Sequence, residues 1–168
     1  MRPSLPLIWE MFGEGSISQR MLVLAKMIDR ETSRRLQADF GLSVAQWRVL
    51  AFVCISGPAT ASFIGDAAEV DQAEISRAVK ALIQAGLTSR DYQPGSRKTM
   101  LIAPTDAGMA LFQRVRTIRQ AYFATITQPL SAMERGQIDR ALRVVAEQVV
   151  AHRTTPEAGT KRSSRLRR

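Results

Sequence analysis

In the stretch VDQAEISRAVKALIQAG, Val70 to Gly86, the side chains Gln72, Ala73, Ser76, Arg77 and Lys80 recur at helical steps. That spacing gathers them on one face of a helix and puts Ile75, Ala78, Val79, Leu82 and Ile83 on the other. The polar set has the chemistry of base-edge recognition. Arg takes O6 and N7 of guanine bidentately, Gln takes N6 and N7 of adenine, and an Ala methyl meets the thymine methyl. An ordinary solvated helix face has the same composition, so the neighbouring elements decide between the two.

One neighbour is a short basic ribbon. LTSRDY and KTMLIA read as two strands joined by QPGS, whose Pro-Gly is a turn signal. Arg97 and Lys98 fall at its tip, where they suit a phosphate or a narrow minor groove.

The elements that must hold these residues follow from apolar periodicity and punctuation. Ser16 or Ser18 opens a helix to about Phe40, with Ile17, Met21, Leu24, Ala25, Ile28, Thr32 and Leu36 on one stripe. Gly41 stops it, and Ser43 caps a second helix carrying Val44, Trp47, Leu50, Ala51 and Cys54. SGPAT breaks the chain, and Thr60 or Ser62 opens a short third helix through Ala68. Asp71 caps the fourth, and Gly86 ends it. After the hairpin a helix runs from about Thr105 to Ile126, with Leu111, Phe112, Val115, Ile118, Tyr122 and Ile126 on a stripe. A Ser131–Glu134 capping box then precedes a last helix with Ile138, Leu142, Val145 and Val149. The middle is a helix-turn-helix followed by a wing. The outer helices are too long and one-sided for so small a domain, and their stripes need a partner.

Composition narrows the function classes. The 168 residues are 45% apolar and 23% charged, a globular balance. Lys and Arg outnumber Asp and Glu by 24 to 15, a charge of +9, which favours a nucleic acid or an anionic surface. The segment Arg153–Arg168 holds six basic residues and one acid, a net +5, with one large apolar residue, and is expected to be a disordered tail. One cysteine excludes an internal disulfide and a Cys-based zinc site; Cys54, inside WRVLAFVCI, reads as a small buried hydrophobe before a redox sensor. The single histidine, His152, leaves no His-cluster metal site and suits a helix end. There is no Gly-rich phosphate loop, nucleophile elbow or metal-ligand spacing, so no enzyme and no cofactor is expected. No window approaches the roughly 18 apolar residues of a membrane helix. The N-terminal apolar run is too short for a signal peptide, so the expected location is the cytoplasm.

From about Ser18 to Val150 the chain resembles the MarR family of winged-helix transcription regulators. The resemblance is carried by GLSVAQWRVLAFV, by SRAVKALIQAGL with its Gly stop, by the wing, and by the PTDAG that opens the next helix. It implies a cytoplasmic homodimer on a palindromic operator, usually a repressor, that releases double-stranded DNA when a small aromatic ligand binds. By position, Ser76 and Arg77 become recognition-helix contacts and Arg97 the wing arginine. Two positions depart from the pattern. Ser96 stands where the family often has Asp before the wing arginine, which implies a looser wing. Gly65 replaces a usual Ala, which implies a third helix weaker by about 1 kcal/mol. By the same analogy an effector pocket lies where the first, second and fifth helices meet. Trp47 would stack on the ligand ring there, Met27 supply apolar surface, Arg48 take a carboxylate and Glu31 a phenol. The oxidant-sensing branch would want a cysteine near the start of the first helix, where this chain has Ile17, Met21 and Leu22.

The expected fold is therefore mainly α, a winged helix-turn-helix with a small hairpin and long N- and C-terminal dimerisation helices. Residues 1–15 form an extension and 16–152 the domain, with the DNA lobe at 43–104 and the dimerisation helices at 16–40 and 105–152. Residues 153–168 form the tail. The alternatives are a winged helix that holds another protein and an oxidant sensor using Cys54.

Overall fold

The structure is a computed structural model and describes residues 5–154 apart from 12, 14 and 97. A 3-10 turn at Leu7–Trp9 is followed by α1 (Ile17–Phe40), α2 (Val44–Ser56), α3 (Ala61–Ala68) and α4 (Gln72–Gln84). Then come β1 (Thr88–Tyr92), β2 (Met100–Pro104), α5 (Asp106–Thr127) and α6 (Ala132–Thr154). Mainly α with one antiparallel pair, this is the expected winged helix-turn-helix. Contacts divide the chain into two compact units, Met1–Arg119 and Gln120–Arg168.

In the first unit α2 is the central helix. Val49, Leu50 and Val53 are fully buried, and the helix is apolar nearly all round, as a helix enclosed by others must be. Ile64 of α3, Ile75 and Leu82 of α4, Ile102 of β2, Phe112 and Val115 of α5 and Leu36 of α1 complete the core. Ser43 caps α2 by accepting from the Gln46 backbone, while the Gln46 side chain accepts from the Ser43 N–H, a reciprocal box that extends the expected cap. Thr60 is the N-cap of α3, and Asp71 caps α4 by accepting from Ala73 and Glu74.

The wing is registered by the pairs Thr88 with Pro104 through Tyr92 with Met100. Its turn has Pro94 followed by Gly95 at φ +80, with Ser96 N–H donating to Gln93 O at 2.9 Å; the left-handed value is why Gly stands there. The second strand starts two residues later than expected, because the Ser96 hydroxyl accepts from the N–H groups of Lys98 and Thr99 and turns them away from the ladder. Ala59 and Ile102 exchange two backbone bonds, of 3.1 and 2.8 Å, and so tie the wing to the loop before α3.

The stripe of α1 is buried only at its C-terminal end, at Thr32 and Leu36. Ile17, Leu22, Leu24 and Met27 are exposed. In the second unit, Arg135 donates to the carbonyls of Leu130 (2.6 Å) and Thr127 (3.4 Å) across the connection into α6. The Ser131–Glu134 box forms as expected. Every described side chain of α6 is exposed, including Ile138, Leu142, Val145 and Val149. The helix continues through Arg153 and Thr154, so the segment assigned to the tail begins as helix. A cation there suits the negative end of the dipole. Residues 155–168, the rest of that segment, lie outside the described residues.

Candidate nucleic-acid interface

The α4 side chains separate as the sequence requires except at Ile83, which was expected on the inward face and is exposed one residue before the helix ends at Gln84. Ile75, Ala78, Val79 and Leu82 are buried, whereas Gln72, Ala73, Ser76, Arg77 and Lys80 are exposed. Asp71 anchors the N-terminus of the helix, leaving its outer face unobstructed. A cleft of about 370 Å³ lies between that face and the start of α2, lined by Ser43, Gln46, Glu74 and Arg77 among others. Sequence reasoning missed this neighbourhood, since nothing in the spacing of Ser43 and Gln46 relates them to a helix thirty residues away.

The five α4 residues do not all hang free. The Gln72 carboxamide donates to the Ser62 carbonyl at 3.1 Å, so one of its donors is engaged within the fold. Lys98 is exposed beyond the turn, and its backbone is held by Ser96. Ser96 thus organises the chain on that side of the turn, where a looser wing was expected. Arg97, the wing arginine, lies outside the described residues.

Of the four residues assigned to an effector pocket, two share one groove. Met27 and Glu31 line a groove of about 660 Å³ along α1, together with Pro6, Ile8, Leu22, Val23, Lys26 and Arg30. Trp47 and Arg48 do not line it. Glu31 accepts from Arg34 at 2.8 Å and from Arg35 at 2.5 Å, and these hydrogen bonds lower its carboxyl from 4.5 to about 2. Trp47 instead stacks on Phe112, with ring centroids 5.6 Å apart and planes 17° apart. Arg119 lies over the Trp47 ring at 5.5 Å and Arg116 over Phe112 at 6.0 Å. Burial, followed by the like charge of Arg48, lowers the Arg119 guanidinium below its ordinary value. Arg116 and Arg119 went unnoticed in the sequence because α5 meets α2 only in the tertiary fold.

Cys54 is half-buried, and burial pushes its thiol up, away from the reactive thiolate. Among the described residues no group of three His, Cys, Asp or Glu side chains could hold a metal ion. No single described helix is long and apolar enough to cross a membrane.

A helix-turn-helix followed by a hairpin wing, with an exposed polar face on α4, is a winged helix-turn-helix fold. A model of the MarR family matches residues 40–90, from the end of α1 into the wing. Similar solved structures extend the likeness in fold. A MarR-family transcriptional regulator from Silicibacter pomeroyi is 24% identical, with a TM-score of 0.69 over 81% of this chain and 91% of that one. A putative MarR-family regulator from Listeria monocytogenes, complexed with 26mer DNA, is 21% identical, with a TM-score of 0.73 over 82% and 91%. The MepR–DNA complex from S. aureus is 17% identical, with a TM-score of 0.71 over 81% and 99%. No curated protein sequence matches the chain.

Proposed function

We propose that this chain is a DNA-binding transcription regulator, a repressor that grips a palindromic operator as a homodimer and lets go when a small aromatic acid binds. The observation that carries the DNA reading is the split of α4: a buried face of Ile75, Ala78, Val79 and Leu82, and an opposite face offering Ser76, Arg77 and Lys80 beside a basic wing. That geometry suits insertion in the major groove. The DNA complexes of the Listeria and S. aureus proteins, which have the same fold, support it. Arg77 reads a base edge, and Lys98 with Arg97 holds backbone phosphate. Selection from randomised duplexes tests this: an enriched inverted repeat is expected, and recovery of no preferred sequence would overturn it.

Two-fold assembly is supported by the exposed apolar residues of α1 (Leu22, Leu24, Met27), α5 (Ile118, Ile126) and α6 (Leu142, Val145, Val149). Surface of this kind is covered in stable soluble proteins.

For the effector, the surroundings of Trp47 support a narrower site than the four residues first assigned. Arg119 lies over the Trp47 ring, and Arg48 is near enough to it for their like charges to interact, which suits a planar carboxylate. Glu31, held by Arg34 and Arg35, is a poor phenol acceptor there. The redox alternative is disfavoured by the raised Cys54 thiol.

A further inference from the structure

The turn between α3 and α4 contains a contact that base recognition does not require. The Gln72 side chain, at the first position of α4, reaches back across the turn and donates from Nε2 to the Ser62 carbonyl of α3 at 3.1 Å. Its path crosses Gly65, which is buried. A β-carbon at Gly65 would run into the Gln72 amide, 2.9 Å from Cδ and 3.2 Å from Oε1. The same Gly65 offers its carbonyl to the Val70 N–H at 3.0 Å, and Glu69 between them turns the chain at φ +53. That is a left-handed conformation, which a non-glycine residue adopts only when its surroundings hold it. The turn, the missing β-carbon and the carboxamide therefore sit in one small region.

We infer that Gln72 is a positioning residue: its carboxamide straps α3 to the start of α4 across Gly65 and sets the angle at which the Arg77 face is presented. The inference rests on the DNA reading above for its consequence, but not for its geometry. It assigns a reason to Gly65, whose place in a helix is otherwise a weakness. It also moves Gln72 from the base-reading set to the scaffold. An adenine would need one N–H and the oxygen of that carboxamide turned outward together, and the bond to Ser62 with the packing on Gly65 holds the group back against α3. With the strap in place, the α3–α4 pair enters the groove as one body, and Arg77 keeps a fixed approach to its base pair.

The test is a double-mutant cycle with Gln72→Ala, Gly65→Ala and both together, read in two ways. In operator binding at fixed salt, each single substitution should lower affinity by about threefold to tenfold, the range of one lost hydrogen bond. The loss should be even across base substitutions in the operator, and the double variant no worse than either single one. Amide hydrogen exchange in α3 and at Glu69–Val70 should rise equally in all three variants. A relaxed preference at one base pair in Gln72→Ala, with Gly65→Ala binding normally, would return Gln72 to base reading. Independent, additive effects on exchange would remove the strap altogether. If the unsubstituted chain selects no duplex, the DNA reading fails, and the exchange coupling still decides on the strap.

Discussion

Gly108 lies flush against Leu87: a β-carbon at 108 would meet the Leu87 carbonyl oxygen, and would sit 3.0 Å from its carbonyl carbon and 3.2 Å from Cδ1 of Leu50. Around this contact Thr105 donates its hydroxyl to Gly86 O at 2.7 Å and accepts from the Gly108 N–H at 3.0 Å. The PTDAG sequence is therefore a joint that fixes the start of α5 against the end of α4. Because the obstructing atoms are backbone, they cannot swing aside. Gly108→Ala should cost about 1–3 kcal/mol, as overpacking does. For a chain of this size it should lower Tm by about 2–4 °C per kcal/mol. A thermal melt equal to that of the parent would remove the joint from the account.

Base reading makes the next prediction. Arg77→Ala should weaken specific binding by about 1–3 kcal/mol and relax selectivity at one base pair. Lys98→Ala should weaken binding to all sequences alike and lower the salt slope by about one. Competition binding against operator variants at one salt concentration separates the two. An unchanged base profile in Arg77→Ala would contradict its role.

Assembly is open to a direct measurement. The intact chain should sediment as a dimer at micromolar concentration. Leu142→Asp or Leu22→Asp, each placing a charge on an exposed apolar surface, should shift it to monomer while leaving its helical content in place. A parent protein that sediments as a monomer would end the two-fold operator reading.

Effector release should depend on the Trp47 surroundings. Benzoate, hydroxybenzoate and cinnamate-type acids are the compounds to screen for release of operator. Affinity for an active compound should fall about tenfold or more in Arg48→Ala and in Arg119→Ala, as expected for loss of a charge-assisted bond. Glu31→Gln should leave it nearly unchanged. Loss of response in Glu31→Gln alone would place the site in the α1 groove instead.

Glu31 carries a pH prediction. Its carboxyl is lowered in the fold from 4.5 to about 2, so its support of α1 is complete above 4.5 and is lost as pH falls towards 2. The acid transition of Glu31→Gln should be shallower than that of the parent across that window. Superimposable acid titrations would show that the two arginines contribute nothing there.

Removing residues 155–168 should leave the melt unchanged but flatten the salt dependence of non-specific DNA binding, because the segment carries five of the basic residues. A slope equal to that of the full chain would exclude the tail from DNA contact.

Local interactions were readable from the residues alone. Helix periods, the Ser43, Asp71 and Ser131 caps, the Pro94–Gly95 turn and the buried-against-exposed split of α4 depend on neighbours a few positions apart, and their chemistry is written in order along the chain. The exposed polar face of α4 was therefore visible before any fold was known. Only the tertiary structure decided what depends on distant partners. It engaged Gln72 with Ser62, placed Gly108 on Leu87, stacked Trp47 on Phe112 beneath Arg119, and set Met27 and Glu31 along one groove of α1. An apolar stripe records that a face is to be covered, but the covering element is chosen by packing across the whole chain. Burial of Phe112 and exposure of Leu142 follow from the same kind of pattern for that reason.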